Sequence, residues 1–302
     1  MRGLAVESLG ADGRSGGPDV TGGEDRADDR DFTQWPGTPG LAATGDLDLI
    51  ADFAAMSRSE WVAAGLRKGY MYMADTITDP RWFRGSGIFG EDPRFYARAI
   101  GAVVRGFQGG SGLAADGVAM TTKHFPGGGA RENGFDPHYA EGKFNVYPTP
   151  GSLATYHLPP FQAAIDAGTS SVMPYCAIPS AEKSAMPQAP LEDFEDVGFA
   201  FNKGILDLLR SMGHRGYINS DSGILSKMAW GVDELGVPER VGKAVMAGTD
   251  MIADTNDVGS IHRVPAGSVH HGAPGRRGSA AHRGDVRPRT VRPPLRRRRP
   301  GR

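Results

Sequence analysis

The strongest constraint in this 302-residue chain is a rhythm. Short apolar runs at 69–75, 117–122, 170–175, 216–221 and 250–254 alternate with stretches whose apolar residues recur at helical spacing, at 46–65, 92–108, 152–167, 199–212 and 238–247. Each run closes on polar side chains: Asp75, Lys123 with His124, Tyr175, Asp221 and Asp254. Alternation of this kind predicts a parallel sheet with helical crossovers. Polar residues at the carboxyl ends of many strands predict a barrel whose chemistry lies on one face. A doubly wound sheet would gather its ligand contacts at a single switch point instead. The expected fold class is therefore α/β, a (β/α)8-type barrel. Eight units need about 250 residues, and only 35–257 reads as ordered. The barrel is thus expected to be incomplete, short of one or two strands before the first helix and at least one after Asp254.

Local signals agree with these elements. Leu49, Ile50, Phe53, Met56 and Trp61 share one helical face, which Gly65 ends. Asp92 followed by Pro93 is a cap with proline at the first helical position. Pro159 and Pro160 are expected to disturb the helix over 152–167.

Charge divides the chain. From Val258 to Arg302 there are 12 arginines, no lysine and one acid, Asp285, whereas the residues before carry 22 bases against 34 acids. An acidic body with an Arg-rich tail is not one domain. Three segments are expected: a disordered leader over 1–34, rich in Gly, Asp and Arg; an ordered domain over 35–257; and a disordered tail over 258–302. The tail reads as a shifted reading frame through GC-rich DNA, with a phosphate-binding arm as the alternative. Nucleic acid is not favoured as a partner. No run approaches the roughly 18 apolar residues of a membrane span, so no membrane partner is expected. The lone Cys176 excludes an internal disulfide framework. With no apolar leader, the expected compartment is the cytoplasm, secretion being left open. Unpaired edges of an incomplete barrel predict self-association.

Four groups carry candidate chemistry. Gly85, Gly87 and Gly90 match a dinucleotide fingerprint, but no strand leads into them and no acid follows at the required distance. They read as a loop before a capped helix. Lys123 and His124, at a strand end before Gly127–Gly129, suit either hydrogen bonding to ligand hydroxyls or a structural ion pair. Asp221, closing an apolar strand, is either a nucleophile or a helix cap. Asp136 and His138 lie in the following loop, where a single His is more often neither metal ligand nor acid/base. No metal-ligand spacing is visible, and no metal is expected.

Taken together, the segments Ala74 to Arg84, Phe89 to Pro93, Lys123 to Gly128, Leu158 to Phe161, Ala167 to Tyr175, Leu208 to Arg210 and Asn219 to Gly223 resemble the N-terminal barrel of glycoside hydrolase family 3, in order and spacing. The resemblance implies a β-glucosidase-type O-glycosyl hydrolase that retains configuration, with Asp221 as nucleophile. Arg84, Lys123 and His124 match residues that hold sugar hydroxyls, and Tyr175 lies near them. No cofactor is implied, and the partner is a β-linked glucoside or oligosaccharide. Gly87 and Ile88 stand where the family has Glu-Thr, and Ser222 where it has Trp after the nucleophile. The alternative is a β-N-acetylglucosaminidase using Asp136 and His138 as an acid/base pair, although Gly128 replaces another His of that subfamily. A reading of another class is a non-catalytic sugar- or nucleic-acid-binding remnant.

Overall fold

The structure, a computed structural model, describes residues 32–253, 255 and 257–264. Helix α1 (Thr38–Ala43) and helix α2 (Leu47–Ala63) precede strand β1 (Lys68–Gly69). Then follow α3 (Pro93–Gln108), β2 (Ala119–Phe125), β3 (Phe144–Asn145), α4 (Leu158–Asp166), β4 (Ser171–Pro174) and β5 (Ile178–Pro179). The described chain ends with α5 (Lys203–Ser211), β6 (Tyr217–Ile218), α6 (Val237–Ala247) and α7 (Val258–His262). Strands β1, β2, β4 and β6 form one parallel sheet in that order. A parallel bridge from Asn219 to Met251 adds a fifth position after α6. Helices α3, α4, α5 and α6 are the successive crossovers, so the described residues build an open arc of a (β/α) barrel.

The helices start and stop where side chains take over their unpaired backbone groups. The Asp46 carboxylate accepts from the amides of Asp48 and Leu49, and Asp92 caps α3 in the same way through Arg94. Gly109 ends α3 at φ 83°, a conformation that costs a side chain but not glycine. Ile50, Phe53, Ala54 and Trp61 of α2 are buried. Gly106 lets α3 approach closely, since a Cβ there would lie 2.4 Å from that of Ala54. At the end of α3, the buried Gln108 ties the amino ends of β2 and β4 together. Its Oε1 accepts from the amides of Met120 (3.3 Å) and Ser170 (2.8 Å), while its Nε2 donates to the Gly168 carbonyl (2.7 Å). Among the described residues, no helix is long and apolar enough to cross a membrane.

Several expected boundaries are corrected. The run 69–75 pairs only at Lys68–Gly69 and again by a bridge from Met73 to Lys123. Beyond it, the Asp75 carboxylate rather than a neighbouring strand takes the amides of His124 and Gly128. The run 216–221 forms a ladder over two residues for a similar reason, because Asp250 Oδ2 accepts from the Ile218 amide at 2.7 Å. The run 250–254 contributes a single bridge at Met251, and Asp254 lies outside the described residues. The helix expected over 152–167 is a π-turn (Leu153–His157) leading into α4, whose Pro159 and Pro160 occupy the first turn, where no amide is required. The helix expected over 199–212 breaks at Asn202, which caps α5 by accepting from the Ile205 amide. At the end of the expected leader, Phe32 packs against the core, and Glu60 accepts the Thr33 amide at 3.0 Å. At the start of the expected tail, Asp257 caps α7 through the Ser260 amide at 2.9 Å. The remaining leader and tail, 1–31 and 265–302, lie outside the described residues.

Two buried histidines make stability depend on pH. Burial pushes His157 and His214 down to about 4. An unfolded histidine titrates near 6.5. As pH falls from 6.5 to 4, the unfolded chain therefore binds protons that the native chain refuses, and stability falls with it. The limiting loss is roughly 3 kcal/mol per histidine, and below about pH 4 these two groups add nothing further. Urea unfolding at pH 7 and pH 4.5 is expected to show a marked drop, smaller in His157→Phe. An equal drop in that variant would show that His157 is not one of the groups responsible.

Candidate functional site

The site forms where the ends of β2 and β4, the segment after β1 and the loop 126–143 meet. Asp75, fully buried, is its deepest carboxylate. It accepts from His124 Nδ1 at 2.8 Å, from the His124 amide at 3.0 Å and from the Gly128 amide. On the far side of the ring, His124 Nε2 lies 3.1 Å from an Arg84 nitrogen. Arginine only donates, so Nε2 accepts and Nδ1 carries the proton. Burial lowers the His124 pKa more than the Asp75 pairing raises it, and the charges of Arg84 and Lys123 lower it further. His124 is thus a neutral imidazole between an ionised carboxylate and a guanidinium.

A second carboxylate closes the network. Asp136 Oδ2 lies 3.2 Å from Arg84 Nε, with both side chains essentially without solvent contact. The same oxygen accepts from Trp82 Nε1 (2.9 Å) and the Tyr175 hydroxyl (2.8 Å). Its partner Oδ1 accepts from the His138 amide at 3.1 Å and from His138 Nδ1. Burial alone would raise the Asp136 pKa, but the His138 hydrogen bonds, the Arg84 charge and the Trp82 donor hold it well below the usual carboxylate range. His138 moves the other way. Burial disfavours its charge, yet the Asp136 bond and the charge of Asp221 raise its pKa above the ordinary value. With Nδ1–H bound to Asp136, Nε2 is the nitrogen whose proton can be exchanged.

The loop is fixed from several directions. Trp230 Nε1 donates to the Pro137 carbonyl at 2.8 Å, and Thr78 Oγ1 to that of Gly129 at 2.8 Å. The glycines are required by close approach: a Cβ on Gly129 would lie 1.8 Å from the Thr76 carbonyl oxygen. One on Gly128 would lie 2.9 Å from the Tyr175 ring and 3.2 Å from the Asp75 carboxyl carbon.

Asp221 follows the last strand. Its Oδ1 accepts from the Ser222 amide at 2.8 Å, while the buried Oδ2 takes no hydrogen bond among the described residues. A ring nitrogen of His138, the Cys176 sulfur and an Asp221 oxygen all lie within 4.8 Å of one another. Burial, with the Asp221 and Asp136 charges, pushes the Cys176 thiol well up.

Of the residues singled out in sequence, Arg84, His124, Tyr175, Asp136 and His138 thus share one hydrogen-bonded network, and Asp221 faces it. Tyr175 is fully buried, stacks on His124 with ring centroids 4.3 Å apart and gives its hydroxyl to Asp136. Lys123 is half-buried at the end of β2, and its amide donates to the Tyr72 carbonyl at 3.2 Å. Asp75 and Trp82 were missed as site residues. The apolar run closing on Asp75 was the available signal; nothing local marks Trp82.

The N-terminal domain of glycosyl hydrolase family 3 matches residues 17–272, most of the chain. The chain belongs to glycosyl hydrolase family 3. Among its relatives, beta-glucosidase C of Emericella nidulans is 38% identical over 231 residues, which cover 72% of this chain and 35% of the relative. A periplasmic beta-glucosidase/beta-xylosidase of Dickeya chrysanthemi is 35% identical over 249 residues, covering 75% and 37%. The chain thus spans about a third of the length of these curated relatives. Its fold is similar to that of a beta-glucosidase from Listeria innocua solved with isofagomine (TM-score 0.60, 27% identity, covering 73% of this chain and 28% of that one). It is also similar to a family 3 beta-N-acetylglucosaminidase from a Paenibacillus species (TM-score 0.57, 26% identity, covering 74% and 38%).

Proposed function

We propose that this family 3 chain carries the reacting centre of a retaining β-glucosidase. The observation that carries the reading is the pairing of Asp221, whose buried Oδ2 has no partner among the described residues, with a His138 nitrogen within 4.8 Å. Retaining hydrolysis needs a nucleophile and an acid/base near enough to act on one scissile bond, and an Asp221 oxygen and a His138 nitrogen are that close. In the first step Asp221 Oδ2 attacks the anomeric carbon while the bond to the leaving oxygen breaks. That oxygen takes the proton from His138 Nε2, and Asp136 steadies the imidazolium before transfer. In the second, neutral His138 takes a proton from water as the water oxygen attacks the same carbon and frees the Asp221 carboxylate. Arg84, Lys123 and His124 bind hydroxyls of the sugar. The sugar is glucose in this reading, in keeping with the beta-glucosidase names of the relatives.

The contact between Asp136 and His138 also favours a second reading, cleavage of N-acetylglucosaminides by the same pair. Gly128 weighs against it, because the space beside Tyr175 and Asp75 admits no side chain at that position. Comparing aryl glucoside with aryl N-acetylglucosaminide turnover separates the two.

The decisive test is trapping. A 2-fluoroglucoside with a dinitrophenyl leaving group departs without acid assistance, so it reports on the nucleophile alone. Intact mass is expected to show one glycosyl adduct per chain, absent in Asp221→Asn. An adduct that persists in that variant would remove Asp221 from the role, and no adduct in the parent would defeat the reading.

A further inference from the structure

We propose that Cys176, His138 and Asp221 form a binding site for a soft divalent cation of the zinc class, overlapping the reacting centre. The three residues lie far apart in sequence, and the fold brings one ligand atom of each within 4.8 Å of the others. Thiolate, imidazole and carboxylate are the donor types that zinc accepts in tetrahedral sites, and three protein ligands leave a fourth position for water. The thiolate selects zinc or cobalt over magnesium and calcium, which prefer oxygen alone.

Two further observations point to a cation. Asp221 is 7% exposed, its Oδ2 accepts no hydrogen bond among the described residues, and a carboxylate oxygen of this residue lies within 4.8 Å of the other two ligand atoms. His138 is already arranged as a metal-binding histidine: its Nδ1–H is held by the Asp136 carboxylate, leaving Nε2 to bind. A carboxylate behind the imidazole fixes the tautomer and strengthens the ligand. Arg84 does not oppose a cation with its full charge, because it is paired with Asp136 at 3.2 Å. Entry is from the His138 side, the most exposed of the three at 29% of its side chain. Binding displaces the Cys176 thiol proton, and the Nε2 proton as well wherever His138 is in its acid form, so protons leave as the cation binds.

The consequence for catalysis rests on the reading of Asp221 and His138 given above. A bound cation occupies the Oδ2 lone pair and the Nε2 position together, so metal and covalent sugar exclude one another. The binding claim itself does not need that reading.

The test uses cobalt(II) as a spectroscopic probe on the full chain. Cys176 is the one cysteine of the sequence, so a cobalt–thiolate charge-transfer band in the near ultraviolet can come from no other residue. The band is expected to appear at one cobalt per chain, to be abolished by an equivalent of zinc and to be lost in Cys176→Ser. His138→Gln is expected to weaken binding while leaving a residual thiolate band. Absence of the band from the parent chain overturns the proposal whatever the variants do. A band unchanged in His138→Gln overturns the three-ligand site. The two readings fail separately. A chain that binds cobalt but takes no 2-fluoroglucosyl adduct keeps the metal site and loses the glucosidase reading. A chain that takes the adduct and then still binds cobalt equally well overturns the overlap.

Discussion

Asp136→Asn is expected to cost about 3–5 kcal/mol of stability, the range for removing one partner of a buried ion pair. The reason is what it leaves behind. Arg84 has no solvent contact, and the carboxylate at 3.2 Å is its counter-charge. Trp82, Tyr175 and the backbone and ring of His138 also direct donors at those two oxygens. An amide offers one acceptor where five donors converge, and its own N–H group faces donors. The exposed pair Lys203–Asp207 provides the contrast. Both of its side chains are more than half exposed, and Asp207→Asn is expected to cost about 1 kcal/mol or less. Urea unfolding of the two variants side by side decides the matter; equal midpoints would mean that the Asp136 network is not what holds the loop. The variant also predicts a direction for His138. With the carboxylate gone its pKa falls, and titration of the imidazole protons by NMR should show the shift.

The second large effect is on turnover. His138→Ala is expected to lower kcat/KM for an alkyl glucoside by about 10²–10⁴, the usual contribution of a positioned acid/base. The loss should be much smaller for a dinitrophenyl glucoside in the first step, because that leaving group needs no proton. Azide, which attacks without a base, should restore turnover and yield a β-glucosyl azide. A uniform loss across leaving groups with no azide rescue would assign His138 a structural role. The pH profile supplies the sign. The pKa of His138 is raised, so the acid form persists above 6.5 and the alkaline limb of kcat/KM should lie on that side. The limb should be absent from the variant.

Much of the scaffold was legible because the signals are local. Asp92 with Pro93 marks a helix start through a bond to an amide two residues away. Gly65 marks an end through a backbone conformation that glycine reaches without strain. Strand extents were less legible. At Asp75 and Asp250 a side chain supplies the acceptor that a ladder would otherwise provide, and an apolar run cannot announce that. Helix α1 and the paired two-residue strands β3 and β5 are too short to leave a periodic pattern.

The site divides along the same line. The sequence by itself determined the strand–helix order, the helix boundaries set by caps, and the family, through motifs in register from Ala74 to Gly223. It also placed Lys123, His124, Tyr175 and Asp221 at strand ends, where a barrel gathers its chemistry, and singled out Arg84 through the resemblance. Tertiary structure alone decided how they interact. Trp82 and Asp136 are 54 residues apart, and His124 and Asp75 are 49 apart. Which tautomer His124 holds depends on Arg84 reaching its far nitrogen. That Cys176 belongs beside Asp221 and His138 depends on β4 and β6 lying next to each other in the sheet. Hydrogen bonds and ligand sets act over a few ångströms in space, and only the folded backbone turns separations of tens of residues into such distances.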